Sequence, residues 1–136
     1  MFMPKRVSAL IIRDDKVLMV KLKTQDRYMP RATWVFPFIE LSEDNSPRRE
    51  ILLLIKNFSI DVRLTGKFFN YYPSENPKLQ YFLYVMDYLK GEPEVMSNFQ
   101  AYKWVQISDI TSYSTSFMDN NVSKFLDEKA KEYNKN

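Results

Sequence analysis

Cysteine and histidine are both missing from this chain of 136 residues, and glycine occurs only twice, at Gly66 and Gly91. Without cysteine there is no disulfide and no thiolate nucleophile, a composition that suits a reducing compartment. Without histidine, a Ser-His-Asp triad and His-ligated zinc are both excluded. Two isolated glycines cannot build a Gly-rich phosphate cradle. Any chemistry must therefore rest on carboxylates, lysine, arginine, tyrosine or serine, with magnesium held on oxygen as one option. No apolar run approaches the ~20 residues of a membrane helix. The opening MFMPKR has neither the apolar core nor the small-residue cleavage site of a secretory leader. These absences set the expectation of a cytoplasmic protein with no membrane partner.

What is present describes a globular chain. Hydrophobic residues make up 45% and charged residues 27%, enough for a buried core in one domain over residues 1–136, with the core at about 5–130. The net charge of +3 comes from 20 basic and 17 acidic residues. Such a surplus points to a nucleic-acid partner only if it gathers on one face.

Runs of β-branched and apolar residues predict strands over Val7 to Arg13 and Lys16 to Lys23, paired across Asp14-Asp15. Residues 24–33 are polar and carry Pro30, which predicts a loop, and Trp34 to Phe36 is a short strand stopped by Pro37. A helix is signalled from Ser46, which can cap it, through Pro47 at its first position and on to Phe58. Val62 to Tyr72 and Lys78 to Leu89 are long strands joined by PSENP, and Tyr102 to Val105 is another. Val122, Phe125, Leu126 and Ala130 recur at helical spacing and close the chain as a helix to Tyr133, after which KEYNKN frays. The order β-β-β-α-β-β-β-α defines an α+β domain.

Five segments in this order carry a resemblance: VSALIIRDDKVLMVK, WVFP followed by IELSED, FSID, KLQYFLYVMDYLKGEPE and YKWVQISDI. Together they resemble the Nudix (MutT-like) hydrolases, over roughly residues 5 to 130. The resemblance implies an α/β/α sandwich with a mixed central sheet. It also implies chemistry seated in the box G-x5-E-x7-R-E-U-x-E-E-x-G-U, where U is bulky and apolar. In that family a loop glutamate and helix glutamates bind magnesium or manganese, which activates water against a diphosphate linkage.

The box is degenerate here. Counted back from Ser59-Ile60 without a gap, Asp44 falls at the loop glutamate and Leu52-Leu53 at Arg-Glu. Lys56-Asn57 then falls at the Glu-Glu pair, and Ser59 at the closing glycine. A second register makes Arg49-Glu50 the Arg-Glu pair, needs gaps on both sides, and puts Leu53-Leu54 at Glu-Glu. At ~100° per residue, Ile51, Leu52, Leu54, Ile55 and Phe58 share one side of the helix. Arg49, Glu50, Lys56 and Asn57 share the other, with Leu53 among them. That distribution favours the gapless register, and both registers lose the Glu-Glu pair. The segment that supplies another carboxylate in the family reads Phe99-Gln100-Ala101 here, with no acid before Asp109. A weak metal site is left with Asp44 and Glu43, and Glu40 and Glu50 as substitutes.

The remaining candidates allow two readings each. Glu40, Glu43 and Asp44 either keep a metal or ligand contact or balance the helix start and its arginines. Arg48 and Arg49 either pair with Glu43, Asp44 or Glu50, which is the expectation, or meet an anion such as a phosphate or RNA backbone. Lys56 either is an ordinary surface lysine or replaces the metal with its ammonium. Arg48, Arg49, Lys56 and Asn57 are the candidate ligand-binding set. The aromatics of the two long strands could stack bases, pack the sheet, or form a homodimer contact. The sequence thus predicts a Nudix-like domain that binds a nucleotide, RNA or a protein partner without hydrolysis and without a required cofactor. The alternative is a divergent magnesium-dependent hydrolase of a nucleoside-diphosphate-linked substrate.

Overall fold

The structure, a computed structural model, describes residues 3–96, 98–113 and 116–133. The start of the MFMPKR reading and the end of the KEYNKN reading lie outside the described residues; Lys131 to Tyr133 are helical. The elements are β1 (Lys5–Arg13), β2 (Lys16–Leu22), β3 (Trp34–Val35), β4 (Phe38–Glu40), α1 (Pro47–Asn57), β5 (Asp61–Tyr71), β6 (Gln80–Lys90), β7 (Phe99–Gln106), a 3-10 helix (Ile107–Ser112) and α2 (Asn120–Tyr133).

All seven strands join one mixed sheet with the path β3-β2-β1-β6-β5. β1 and β6 pair in parallel from Lys5–Gln80 to Ile12–Asp87, and the other ladders are antiparallel. β1 meets β2 only at the hairpin base, Ile12–Val17 and Arg13–Lys16. Beyond it the two strands diverge. β4 takes the place beside Arg6, Val7 and Ser8, while β7 runs along the whole of β2. The sheet therefore splays open on the side of β4 and the loop leading to α1.

β1 and β2 read as continuous apolar runs because both of their faces are covered; Val7, Ala9, Leu10 and Ile11 are all buried. The helices lie on opposite faces, as β5 shows. Successive residues Phe68 and Phe69 point to opposite sides. Phe69 meets Phe125 of α2 edge to face at 5.5 Å, whereas the Phe68 ring packs against Phe82 and Tyr84 and lines a cavity with Arg48 of α1, besides bordering another with α2. This is the α/β/α sandwich with a mixed central sheet that the sequence predicts. β4 was not legible in the sequence. Three residues after a proline carry no usable alternation, and β4 is a strand only because β1 offers it a free edge.

Candidate functional site

α1 begins as its sequence dictates. Ser46 is extended (φ −73°, ψ 122°), its hydroxyl accepts from the Arg49 amide at 3.4 Å, and Pro47 takes the first helical position. Ile51, Leu54 and Ile55 are buried on the inner face, followed by Phe58. At the far end Ser59 adopts a left-handed backbone (φ 64°), a conformation that favours glycine. A glycine stands there in the Nudix box, so this backbone supports the gapless register. Gly91 makes the turn possible, because a Cβ on it would lie 2.5 Å from the Ser59 carbonyl oxygen.

Leu53, Lys56 and Asn57 are exposed on the outer face, Leu53 to 47%. Leu52, expected on the buried side, is only half-buried and lines an open cavity of about 390 Å³ with Ser46, Arg48, Arg49, Leu53 and Lys56. The α1 stripe is narrower than its apolar sequence suggested, because β1 and β4 leave that flank uncovered. Asn57, placed with the ligand-binding set from sequence, does not line this cavity.

The expected pairing of Arg48 and Arg49 with Glu43, Asp44 or Glu50 does not form. Among the described residues the ion pairs are Arg6 with Asp26 and Glu40, Arg63–Asp87, Lys90–Asp61 and Lys129–Glu132. Arg48 and Arg49 instead line the cavity, with Lys56 about two turns further on and likewise without an ion pair among the described residues. Two cations in the first turn sit against the positive end of the helix dipole, which disfavours each by a few tenths to ~1 kcal/mol. Glu50 is the one acid in that turn, and it forms no ion pair with either arginine among the described residues.

Glu40, a candidate substitute ligand, is held by Arg6 through one of its oxygens. The Arg6 guanidinium donates to Glu40 Oε1 from Nε at 2.7 Å, and to Asp26 Oδ1 and Oδ2 from Nη2 and Nη1 at 2.6 and 3.0 Å. Nη1 also reaches the Tyr81 hydroxyl at 3.4 Å, and the group lies 4.4 Å from the Phe38 ring centroid. Arg6 is 1% exposed. Burial opposes its charge, but the bonds to Asp26 and Glu40 and the neighbouring Tyr81 more than offset that, and its pKa is raised. This network ties β1, β4, β6 and the 24–33 loop together, a task the sequence did not reveal because its members are spread over 76 positions, Arg6 to Tyr81.

Phe99 to Ala101 belong to β7, not to a loop, and Phe99 is buried edge to face against Phe38 at 5.6 Å and Phe58 at 6.0 Å. Glu92 and Glu94, just before β7, accept from Tyr102 and from Ser59. Among the described residues no three acidic side chains come together as a metal-binding group. Glu43 and Asp44 remain as exposed loop acids beside unpaired arginines. Such a set does not fit the multi-carboxylate magnesium site of a diphosphatase, and no catalytic step through a metal can be built on it.

No family model and no curated protein matches the sequence significantly. Solved structures do match. An ADP-ribose pyrophosphatase from Streptococcus suis aligns with a TM-score of 0.65 at 16% identity, over 93% of this chain and 91% of that one. A UDP-X diphosphatase aligns with a TM-score of 0.68 at 14% identity; it covers 98% of this chain, which spans 65% of that protein. A Nudix hydrolase from Nitrosomonas europaea gives 0.59 at 17% identity, over 95% and 88%. The chain thus has the Nudix hydrolase fold, as the order of its sequence segments led us to expect. At these identities the likeness speaks for the fold alone. No helix among the described residues is long and apolar enough to cross a membrane.

Proposed function

We propose that this Nudix-fold domain binds a phosphate-bearing ligand, a nucleotide or RNA, without a metal and without hydrolysing it. The observation that carries the reading is the exchange of charge on the outer face of α1. Where the family box has Glu-Glu, this chain has Lys56-Asn57. Lys56, Arg48 and Arg49 surround one cavity with no acid in its wall and no ion pair to neutralise them. Where a diphosphatase would neutralise phosphate with bound metal, three side-chain cations can engage phosphate oxygens directly, with the arginine forks suited to two oxygens at once. Leu52 and Leu53 give the cavity an apolar floor of the kind small-ligand sites use.

The test is calorimetric titration with ADP in EDTA and again in Mg²⁺. Binding of similar strength in both buffers, weakened about tenfold by Lys56→Ala or Arg49→Ala, is the expected result. Binding that needs the metal would sink the reading in favour of a divergent hydrolase.

A further inference from the structure

A second cavity of about 500 Å³ adjoins the first and shares Arg48 with it; Leu64, Gly66, Phe68 and Tyr84 line its other side. A bulge in β5 creates it. Four steps along β5, Leu64 to Phe68, lie opposite two along β6, Met86 to Tyr84. Thr65, Gly66 and Lys67 bow out, with Gly66 at φ +89° and nothing within 4 Å of where its Cβ would stand. The glycine therefore serves the backbone angle alone. The bulge is pinned, since Thr65 Oγ1 donates to the Val85 carbonyl at 2.9 Å and accepts from the Lys67 amide at 3.1 Å. Bulges of this kind commonly re-aim a side chain beside a functional site.

The re-aimed side chain is Phe68. It is 43% exposed, yet held in place by Tyr84 at 5.0 Å and by a stacked Phe82 at 6.2 Å. A ring fixed by neighbours and open to solvent can stack a base with little further loss of freedom. Lys67 does not compete for the space, since its ammonium lies over Phe69 and Phe125 on the α2 side. Arg48 and Lys67 are the cationic residues of this cavity's lining, and with the Lys67 ammonium turned to the α2 side Arg48 is the one shared with the first cavity; no carboxylate lines either cavity. A row of unpaired cations running onto an aromatic platform is the combination that holds single-stranded nucleic acid: charges follow the backbone and rings take the bases. Two cavities hinged on one arginine suit consecutive nucleotides better than a single mononucleotide.

We infer that the cavity beside the β5 bulge is a base-stacking subsite, and that the ligand is a single-stranded nucleic acid running from Arg49 and Lys56 past Arg48 onto Phe68. This rests on the proposed phosphate-binding role of α1 and specifies its ligand.

The experiment is fluorescence anisotropy in EDTA with 5′-labelled single strands of 12 nucleotides, RNA and DNA of one mixed sequence, beside ADP as the mononucleotide. At least one strand binds, more weakly as salt rises. Phe68→Leu weakens that binding about tenfold with the salt slope unchanged, and Phe68→Trp retains it. Arg48→Ala lowers the slope by about 0.7. Circular dichroism checks that each variant is folded, as the exposure of both residues predicts. Strand binding that Phe68→Leu leaves unaltered overturns the inference. So does ADP binding with no strand binding, which leaves the phosphate-binding role standing; failure of both ligands removes both. A concentration-dependent dimer that Phe68→Asp dissociates also overturns it, by assigning this face to a second copy of the chain.

Discussion

Arg6 and the α1 cations use the same chemistry in opposite settings. Arg6 is fully buried, with its guanidinium shared between Asp26, Glu40 and Tyr81. Arg48, Arg49 and Lys56 are exposed, face a cavity and form no ion pair among the described residues. A buried cation without partners would cost several kcal/mol, so the fold supplies Arg6 with two carboxylates. An exposed cation carries no such demand, and nothing in the fold requires charges at the dipole-disfavoured start of α1. The contrast separates a cation that serves the architecture from cations to which the described structure gives no ion-pair partner.

The sharpest way to break this comparison is to remove the buried member. Arg6→Met leaves Asp26 nearly buried without its partner, and urea denaturation is expected to show a loss of about 3 kcal/mol. A loss below about 1 kcal/mol would mean the network is peripheral and the contrast false.

The same network has an alkaline signature. Burial above all, with the charges of Asp26 and Glu40 behind it, holds the Tyr81 phenol above its ordinary range against the pull of Arg6. Burial likewise raises Tyr71, with Tyr81 and Asp119 adding to it. Both phenols stay protonated in the folded chain after their unfolded counterparts ionise near pH 10. Stability is therefore whole below about pH 10 and falls above it, by up to about 1.4 kcal/mol per pH unit for each tyrosine. Denaturation between pH 8 and 11 should show roughly half that slope in Tyr81→Phe; an unchanged slope would dissociate Tyr81 from the effect.

The smallest effect sharpens the other side. Arg48→Ala and Arg49→Ala should each leave stability unchanged or raise it by a few tenths to about 1 kcal/mol, because each removes a cation from the wrong end of the helix dipole. A clear loss in thermal melts would show that these arginines have a structural partner after all.

Much of this was legible in the sequence where the signal is local. The Ser46-Pro47 start of α1, the place of Leu53 on its polar side, and the two long strands follow from capping chemistry and periodicity. β4 and the Arg6 network were not, because each depends on residues brought together from distant positions. The pairing expected for Arg48 and Arg49 failed for a related reason. Nearness of charges along the chain, Glu43 and Asp44 to Arg48, does not place side chains in contact. The β5 bulge hid inside an apparently continuous strand, with Gly66 as its only trace.

The central claim is that α1 has exchanged a catalytic metal face for a binding one. The most direct measurement is product release from nucleoside diphosphates, dinucleoside polyphosphates and capped RNA, with Mg²⁺ or Mn²⁺ supplied. The account predicts no turnover above the protein-free rate with any of them. Turnover that disappears in Asp44→Ala would contradict it and make this chain a working diphosphatase.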